Sequence, residues 1–221
     1  MTSHINIMIG GEAGQGVQSA GFILAKTFSR AGYHVFADQD YESRVRGGHN
    51  FYRIRASDSE IAAINESIDI LVALNEESID LHLDEITSDG AAIVNTEDVE
   101  GRSGKNIYAV PFDQLTNDKI MVNTVALGAA LGLIGFDITI LENVLDDQYG
   151  TGESGKANIE AARAGYNYRG DNKKKPGLHM VKPINHEKKM LLNGNEAIAL
   201  GAMAAGCKYV SSYPMTPSTS S

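Results

Sequence analysis

The chain is poor in the residues that build cross-linked or metal-bearing proteins. Cys207 is the only cysteine among its 221 residues, and tryptophan is absent. A single cysteine excludes an internal disulfide, and without a Cys-x-x-Cys pair there is no ligand set for an iron–sulfur cluster or a structural zinc ion. The six histidines show no metal-ligand spacing. The sequence therefore predicts a protein of a reducing compartment that binds no metal of its own.

Basic residues are also scarce. The 19 lysines and arginines stand against 28 aspartates and glutamates, which gives a formal net charge of −9. A nucleic-acid binder needs a basic face that neutralises phosphates, so no nucleic-acid partner is expected. The one basic run, Lys173–Lys175, lies beside Pro176 and Gly177 and is typical of a solvated linker.

A long apolar segment and a basic leader are missing as well. Met1–His4 leads directly into an apolar run, without the charged and apolar regions of a secretory signal. The longest apolar stretch, residues 120–136, falls short of the ~20 residues that span a bilayer. Its Gly128 and Gly132 are four positions apart and predict a buried helix that packs closely against a neighbour. We expect a cytoplasmic protein with no membrane partner.

What the chain does have is a regular alternation of apolar runs and helical periodicity. Apolar residues make up 43% and charged residues 21% of the sequence, as in ordinary folded domains. The alternation predicts an α/β fold, in which a mostly parallel open sheet carries helices on both faces. The predicted strands cover residues 5–9, 34–37, 68–74, 91–94 and 107–110, and the last three are expected to be central. The predicted helices cover residues 17–31, 79–86, 120–134 and 153–164. In the second helix Ile79, Leu83 and Ile86 are expected to face inward, and Gly165 is expected to end the last helix as a left-handed cap.

One further run, Phe51–Arg55, alternates between apolar and polar residues. This period of two predicts a strand with one solvent-facing side, placed at a sheet edge or in a hairpin.

The composition changes between Asn167 and Pro183, where polar and turn-forming residues replace the periodic pattern. The sequence thus predicts a domain over residues 1–170, a linker over 171–183 and a second, incomplete α/β segment over 184–221. This segment is shorter than the ~40 residues that usually fold alone, so we expect it to dock on something else. It contains a helix-like run, Gly194–Gly206, and then a strand-like run in which Cys207 is expected to be buried.

A glycine-rich turn follows the first predicted strand, with the sequence Gly-Gly-Glu-Ala-Gly-Gln-Gly over residues 10–16. Such a turn lets a ligand approach the backbone, and the N-terminus of the next helix favours an anion. The glycine order differs from the dinucleotide fingerprint, although Asp38 could serve as a ribose-binding acid. An NAD or FAD site, another anion or a subunit contact, and simple tight-turn chemistry all stay open at this point.

A second cluster contains Arg44, Arg46 and His49 on a loop with Gly47 and Gly48. Two arginines on such a loop could clamp an anion through bidentate hydrogen bonds. The alternative is local pairing with the acidic residues that precede them, Asp38, Asp40 and Glu42.

The most specific motif lies near the end of the chain, where Tyr-Pro-Met-Thr-Pro-Ser covers residues 213–218. Two prolines fix the backbone around Thr216 and so orient its hydroxyl. With Gly194–Ala197 before it, the motif resembles the opening of the pyrimidine-binding α domain of thiamine-diphosphate-dependent 2-oxoacid:ferredoxin oxidoreductases. Residues 1 to about 170 resemble the Rossmann-like γ domain of that family, through Gly11–Gly16, Arg46–Gly48, Asn123–Gly128, Asn158–Ala161 and Gly165–Tyr166.

The resemblance implies CoA-dependent oxidative decarboxylation of a 2-oxoacid, with electrons passing through iron–sulfur clusters to ferredoxin. The γ-then-α order is similar to the fused subunit of the 2-oxoglutarate branch, so 2-oxoglutarate is favoured over pyruvate. In this family Thr216 would face the substrate carboxylate, and Tyr213 and Pro214 would contact the cofactor. The glycines Gly11, Gly14 and Gly16 and the side chain of Arg46 would contact CoA or another subunit.

The resemblance also implies partners. The thiamine diphosphate, the clusters and ferredoxin would be met in an oligomeric complex with a thiamine-diphosphate-binding β subunit. Met215 replaces the usual isoleucine of the motif, and the 221 residues end before the activating glutamate of the α domain. We therefore expect this chain alone to be inactive. The alternative is a stand-alone nucleotide-binding or assembly module of Rossmann type.

Overall fold

The computed structural model describes residues 4–41, 48–99, 107–168, 184, 190–211 and 213. The chain divides into two compact units, Met1–Lys189 and Met190–Ser221. The first contains the sheet and the cleft described below.

Six strands form one sheet in the order β2-β3-β1-β4-β5-β6. Neighbouring strands are parallel from β1 through β4 and β5 to β6, whereas β3 runs antiparallel to both of its neighbours. The strands are β1 (His4–Glu12), β2 (His34–Tyr41), β3 (His49–Ser57), β4 (Ile68–Ala73), β5 (Ile86–Asn95) and β6 (Ile107–Val110). The prediction of a mostly parallel sheet is confirmed.

Helices cover both faces of this sheet. Side chains alternate between faces along a strand. Met8 of β1 packs with Ile79 in one apolar cluster, while Gly21 lies against the ring of Tyr52, on the opposite face. The helices are α1 (Val17–Arg30), α2 (Glu76–His82), α3 (Phe112–Leu115), α4 (Val122–Ile134), α5 (Ile138–Tyr149), α6 (Glu153–Asn167) and, in the second unit, α7 (Gly194–Ala204). The predicted fold class is therefore correct.

Three predictions about single elements are wrong. Helix α2 ends at His82, a 3₁₀ turn occupies Leu83–Glu85, and Ile86 begins β5 instead of completing a helix. Gly165 is a buried residue inside α6 and not a left-handed cap. Strand β6 is the last of the sheet and not a central one.

The alternating run at Phe51–Arg55 lies in β3, which forms an antiparallel pair with β2. Ile54 is buried, whereas Arg53 is half-exposed and binds Asp38 of β2 through two hydrogen bonds of 3.0 and 3.1 Å. The prediction of one solvent-facing side is confirmed. The sheet edge is formed by β2, because β3 lies between β2 and β1.

Helices α4 and α6 pack at the distance of backbone contact. A Cβ atom on Gly128 would overlap the carbonyl oxygen of Ala162, and one on Gly165 would overlap the carbonyl oxygen of Val125. Residues Thr124–Leu131 of α4 are all buried. The predicted glycine-mediated packing of this apolar helix is thus confirmed. None of the helices among the described residues has the length and apolarity to span a membrane.

The second unit contains α7, which begins with a capping box. The Asn193 side chain accepts a hydrogen bond from the Glu196 backbone at 2.9 Å, and the Glu196 carboxylate accepts one from the Asn193 backbone at 2.9 Å. No residue of α7 is buried. Cys207 is exposed, and residues 207–211 form no strand, so both predictions are wrong. A strand needs a paired neighbour, and the described residues of this unit provide none.

Candidate functional site at the carboxyl edge of the sheet

A cleft of about 690 Å³ lies where β1, β4 and β5 end. In the strand order, β2 lies to one side of β1, whereas β5 lies to the opposite side of β4. The direction of the strand order therefore reverses between β1 and β4. Open α/β sheets bind their ligands at such points. The lining residues are Glu12, Gly14, Gln15, Leu74, Asn75, Glu76, Glu77, Asn95, Asp98, Phe112, Asp113, Lys119, Ile120 and Val122.

The glycine-rich turn forms one wall of this cleft. Gly14 has a φ of 99° and Gly16 a φ of 74°, both in the left-handed region that favours glycine. A Cβ on Gly14 would meet no described atom within 4 Å, whereas one on Gly16 would overlap the Asn123 side chain. Gly11 is similarly restricted, since its Cβ would lie 2.7 Å from Gln15 Oε1. Of the three predicted glycines, Gly14 is therefore the one open to a ligand.

Gln15 ties the ends of two strands together beneath the cleft. Its Oε1 accepts a hydrogen bond from the Glu12 backbone at 2.8 Å, and its Nε2 donates one to the Leu74 carbonyl oxygen at 2.9 Å. The glycine-rich turn is thus anchored to both β1 and β4. This anchoring fixes the backbone of Gly14 at the cleft.

The other sequence motifs meet behind the same turn. Asn123 Nδ2 donates to the carbonyl oxygen of Gln15 at 3.3 Å. The neighbouring Thr124 hydroxyl donates to Asn158 Oδ1 at 3.0 Å, and Asn158 Nδ2 donates to the Ser154 carbonyl oxygen at 2.9 Å. Because Thr124 and Asn158 are both buried, this network links the turn to α4 and α6. The motifs therefore build the support of the cleft and not its surface.

The charge of the cleft limits what it can bind. Its described lining carries the carboxylates Glu12, Glu76, Glu77, Asp98 and Asp113 and the single cation Lys119. A phosphate group beside these carboxylates would be repelled. The described walls fit an uncharged ligand segment better than the phosphates of a nucleotide.

The dinucleotide interpretation is not supported by the strand order. In a dinucleotide-binding fold the acid on the second strand reaches the ribose from beside the first strand. Here β3 separates β2 from β1. The carboxylate of Asp38 is also engaged by Arg53. Asp38 is therefore not a ribose-binding residue.

One polar cluster was not predicted from the sequence. His49 Nε2 and His82 Nε2 lie 2.7 Å apart, and Glu85 Oε2 lies 3.0 Å from His82 Nδ1. The two histidines come from different elements and are 33 positions apart. No local spacing signals such a pair.

Of the remaining predicted site residues, Tyr213 lies among the described residues and four others do not. Tyr213 is 77% exposed. Arg44, Arg46, Pro214 and Thr216 lie outside the described residues.

Comparison with known proteins decides the family. The family model described as pyruvate ferredoxin/flavodoxin oxidoreductase matches residues 6–168. The chain belongs to this family. The resemblance found in the sequence is thereby confirmed.

Members of the oxidoreductase family match nearly the whole chain. The 2-oxoacid:ferredoxin oxidoreductase subunit alpha of Sulfolobus sp is 23% identical over 96% of this chain and 40% of the relative. The 2-oxoglutarate synthase subunit KorC of Archaeoglobus fulgidus is 29% identical over 83% of this chain and 98% of the relative. The chain thus spans the whole of a short subunit but only about two fifths of the Sulfolobus subunit.

Solved structures of the family agree. The 2-oxoglutarate:ferredoxin oxidoreductase from Magnetococcus marinus, with 2-oxoglutarate, coenzyme A and succinyl-CoA bound, superposes with a TM-score of 0.82. It is 26% identical, and the match covers 98% of this chain and 40% of that one. The pyruvate oxidoreductase subunit PORC from Thermotoga maritima gives a TM-score of 0.64 at 28% identity, over 74% of this chain and 96% of that one.

Proposed function

We propose that this chain acts in a 2-oxoacid:ferredoxin oxidoreductase, as a γ-type domain followed by the start of an α-type domain. The complex would carry out CoA-dependent oxidative decarboxylation and pass the electrons to ferredoxin. The observation that carries this proposal is the superposition of 98% of the chain on the Magnetococcus marinus oxidoreductase. A match of that extent reaches beyond the sheet domain into residues 184–221, which we assign to the α-type segment.

The proposed substrate is 2-oxoglutarate. It is supported by the ligands bound in the Magnetococcus marinus structure and by the name of the Archaeoglobus fulgidus relative. Pyruvate is the competing substrate, because the Thermotoga maritima neighbour is a pyruvate oxidoreductase subunit. Assay of the complex with both acids decides between them, and a higher kcat/KM for pyruvate would overturn the proposed preference.

Within this scheme Thr216 is proposed to donate its hydroxyl hydrogen to the substrate carboxylate, with Tyr213 and Pro214 beside the cofactor. A neutral donor orients the carboxylate without holding it so strongly that loss of carbon dioxide is opposed. Thiamine diphosphate would supply the electron sink for decarboxylation. It and the iron–sulfur clusters would be held by other parts of a cytoplasmic, oligomeric complex that includes the β subunit, since Cys207 alone cannot bind a cluster.

The proposed contact with CoA is best placed at Gly14. Its surroundings are open and it lines the cleft, whereas Gly11 and Gly16 are packed against Gln15 and Asn123. The carboxylates of the cleft disfavour phosphate, so the uncharged pantetheine arm is the part of CoA that we assign to this wall. Arg46 remains the proposed contact for the phosphates on chemical grounds.

The function is tested in the assembled complex by 2-oxoglutarate-dependent reduction of a viologen dye. Replacing Thr216 by Val should lower kcat/KM about tenfold to 100-fold, because a hydrogen bond to a charged group is lost. Thr216→Ser keeps the hydroxyl and should retain most of the activity. Equal activity of all three proteins would contradict the role of Thr216, and a complex without 2-oxoacid-dependent reduction would contradict the function itself.

Binding to the 221-residue chain separates this function from the alternative of a stand-alone module. CoA should raise the melting temperature while NAD does not, since a ligand that binds only the folded state stabilises it. The chain alone should show no turnover. Stabilisation by NAD but not by CoA would favour a nucleotide-binding module. Robust turnover by the chain alone would contradict the proposal that other parts of the complex hold the cofactors.

A further inference from the structure

Asn193 and Gly194 form the only Asn-Gly pair in the sequence. The pair stands at the start of α7, where Asn193 is the N-cap and Gly194 is the first helical residue. Both residues are exposed. An asparagine amide is therefore held next to the backbone nitrogen of a glycine at a position that water reaches.

An asparagine that precedes a glycine can cyclise without an enzyme. The backbone nitrogen of the glycine attacks the side-chain carbonyl carbon, and the side-chain nitrogen leaves as ammonia together with the proton of the backbone amide. Water then cleaves one of the two ring C–N bonds of the resulting succinimide. Cleavage at the side-chain carbonyl gives aspartate, and cleavage at the main-chain carbonyl gives isoaspartate. Glycine favours the attack because it has no Cβ and its backbone rotates freely.

The capping box of α7 restrains the same groups. Asn193 Oδ1 accepts a hydrogen bond from the Glu196 backbone, and the Asn193 backbone donates one to the Glu196 carboxylate, each at 2.9 Å. Ring closure requires the Gly194 nitrogen to lie near the plane of the Cβ, Cα and carbonyl carbon atoms of Asn193. The ψ angle of Asn193 is 171°, which places that nitrogen well outside this plane. The capped helix therefore holds the pair in an unreactive geometry.

The start of α7 has little tertiary packing to keep it in this geometry. No residue of α7 is buried, and a Cβ on Gly194 would meet no described atom within 4 Å. A helix end without buried contacts opens at a low free energy, since its fraying exposes no core. Rotation about ψ of Asn193 breaks the capping box and makes ring closure possible. The reaction therefore proceeds through the open state, at a rate set by how often the box opens.

We propose that Asn193 is a site of spontaneous deamidation whose rate is controlled by the capping box of α7. Water is the only other reactant, and ammonia is the product that leaves. The site belongs to the second unit and takes no part in the cleft of the first.

The two products affect α7 in opposite ways. Aspartate keeps an oxygen acceptor at the N-cap and adds a negative charge beside the positive end of the helix dipole. Isoaspartate inserts a methylene group into the backbone, which displaces the acceptor from the Glu196 amide. Deamidation thus divides the chains into one population with a stabilised start of α7 and one in which the capping box is lost.

The first test is incubation of the 221-residue chain at pH 8, followed by peptide mass spectrometry of Asn193. A synthetic peptide of residues 190–199 is the reference, because a helix of this length is marginal on its own. Asn193 should deamidate in the chain, at a rate at least about fivefold lower than in the peptide. An intact Asn193 after the peptide has reacted completely would overturn the proposal, and equal rates would overturn control by the capping box.

Variants separate the capping box from the charge of Glu196. Glu196→Ala removes one bond of the box and should raise the rate at Asn193 at least about threefold. Glu196→Gln removes the charge but can still close the box, so it should react at close to the wild-type rate. Gly194→Ala hinders the attack and should lower the rate about tenfold, because alanine adds a Cβ and favours the helix. Equal rates in all these proteins would contradict the mechanism.

The products are compared by NMR. Asn193→Asp supplies the aspartate product directly, and ion exchange separates the isoaspartate fraction of the incubated chain. The Glu196 amide signal should stay at its hydrogen-bonded position in Asn193→Asp and shift in the isoaspartate fraction. The same Glu196 amide signal in both would contradict the opposite effects on α7.

Discussion

At the scale of single residues, Tyr52 is the side chain among the described residues whose ionisation is most clearly opposed by the fold. Burial raises the pKa of its hydroxyl, and the nearby carboxylate of Asp38 raises this pKa further. The ring also packs against the backbone of Gly21. A phenolate at this position would lose solvation and lie near a negative charge, so the folded state retains the proton more strongly than the unfolded chain.

This difference predicts a loss of stability in alkali. The folded pKa lies above the unfolded value of about 10, so the contribution of Tyr52 is fully present below pH 10 and is lost as the pH rises through the folded pKa. Tyr52→Phe should flatten the fall in the free energy of unfolding between about pH 9 and pH 11. Urea titrations at each pH measure this slope.

The control is Tyr149→Phe, which alters a tyrosine that is 38% exposed. It should keep the wild-type slope. A wild-type slope in Tyr52→Phe would show that Tyr52 does not couple folding to pH.

At the scale of elements, the contact between α4 and α6 is the least tolerant of added atoms. Gly128 and Gly165 face carbonyl oxygens of the opposite helix, and a backbone oxygen cannot rotate away as a side chain can. The contact holds Asn123, Thr124 and Asn158, which support the glycine-rich turn. The spacing of these two helices therefore affects the residues that support the cleft.

Gly128→Ala should lower the free energy of unfolding by about 1–3 kcal/mol, because the methyl group forces the two helices apart. Gly152→Ala is the matched control in the same unit, since a Cβ there meets no described atom within 4 Å. Because Gly152 is the N-cap of α6, this variant should lower the stability by no more than about 1 kcal/mol. Urea unfolding measures both values, and equal stabilities of the two variants would contradict this description of the helix contact.

The elements could largely be predicted where local pattern decides the structure. The apolar run of α4 and the alternation in β3 were sufficient to predict these two elements. A segment that is buried on all sides is apolar throughout, whereas a strand that is buried on one side alternates between apolar and polar residues. Ile86 was assigned to a helix because its spacing from Ile79 fits a helical period, but pairing of β5 with β4 takes precedence. Helix α5 was missed, although Asp137 caps it by accepting a hydrogen bond from Thr139 at 3.0 Å.

The candidate site could be predicted only in part for a related reason. The glycine-rich turn is a local signal, so its place after the first strand followed from the sequence. The contact of Asn123 with Gln15 joins residues 108 positions apart, and the pair of His49 and His82 depends on the register of β3 and the end of α2. Such contacts are created by the fold and leave no local spacing.

At the scale of the whole molecule, the two units differ in how much apolar surface they bury. Strand β4 is almost completely buried, whereas Ile198 and Met203 of α7 are each 70% exposed. Large exposed apolar side chains on one short helix are typical of a surface that is covered in a complete domain or complex. This agrees with the proposal that the second unit begins an α-type domain.

Hydrogen exchange of the 221-residue chain should reveal this difference. Amides of α7 should be protected at least about 100-fold less than those of β4, because local opening of α7 exposes no buried core. Helix α1, which has nine buried residues, is the helical control and should resemble β4. Protection of α7 equal to that of α1 would contradict the difference between the units.

The position of β1 has a consequence for synthesis on the ribosome. The first strand to emerge is the one that lies between β3 and β4, and its register partners extend to Ser57 on one side and to Ala73 on the other. Neither edge of β1 can be paired in the native way until those later strands have left the exit tunnel. The nascent chain therefore presents the apolar run Ile5–Ile9 with open edges until those strands have been made, and unpaired edges of this kind are prone to non-native pairing.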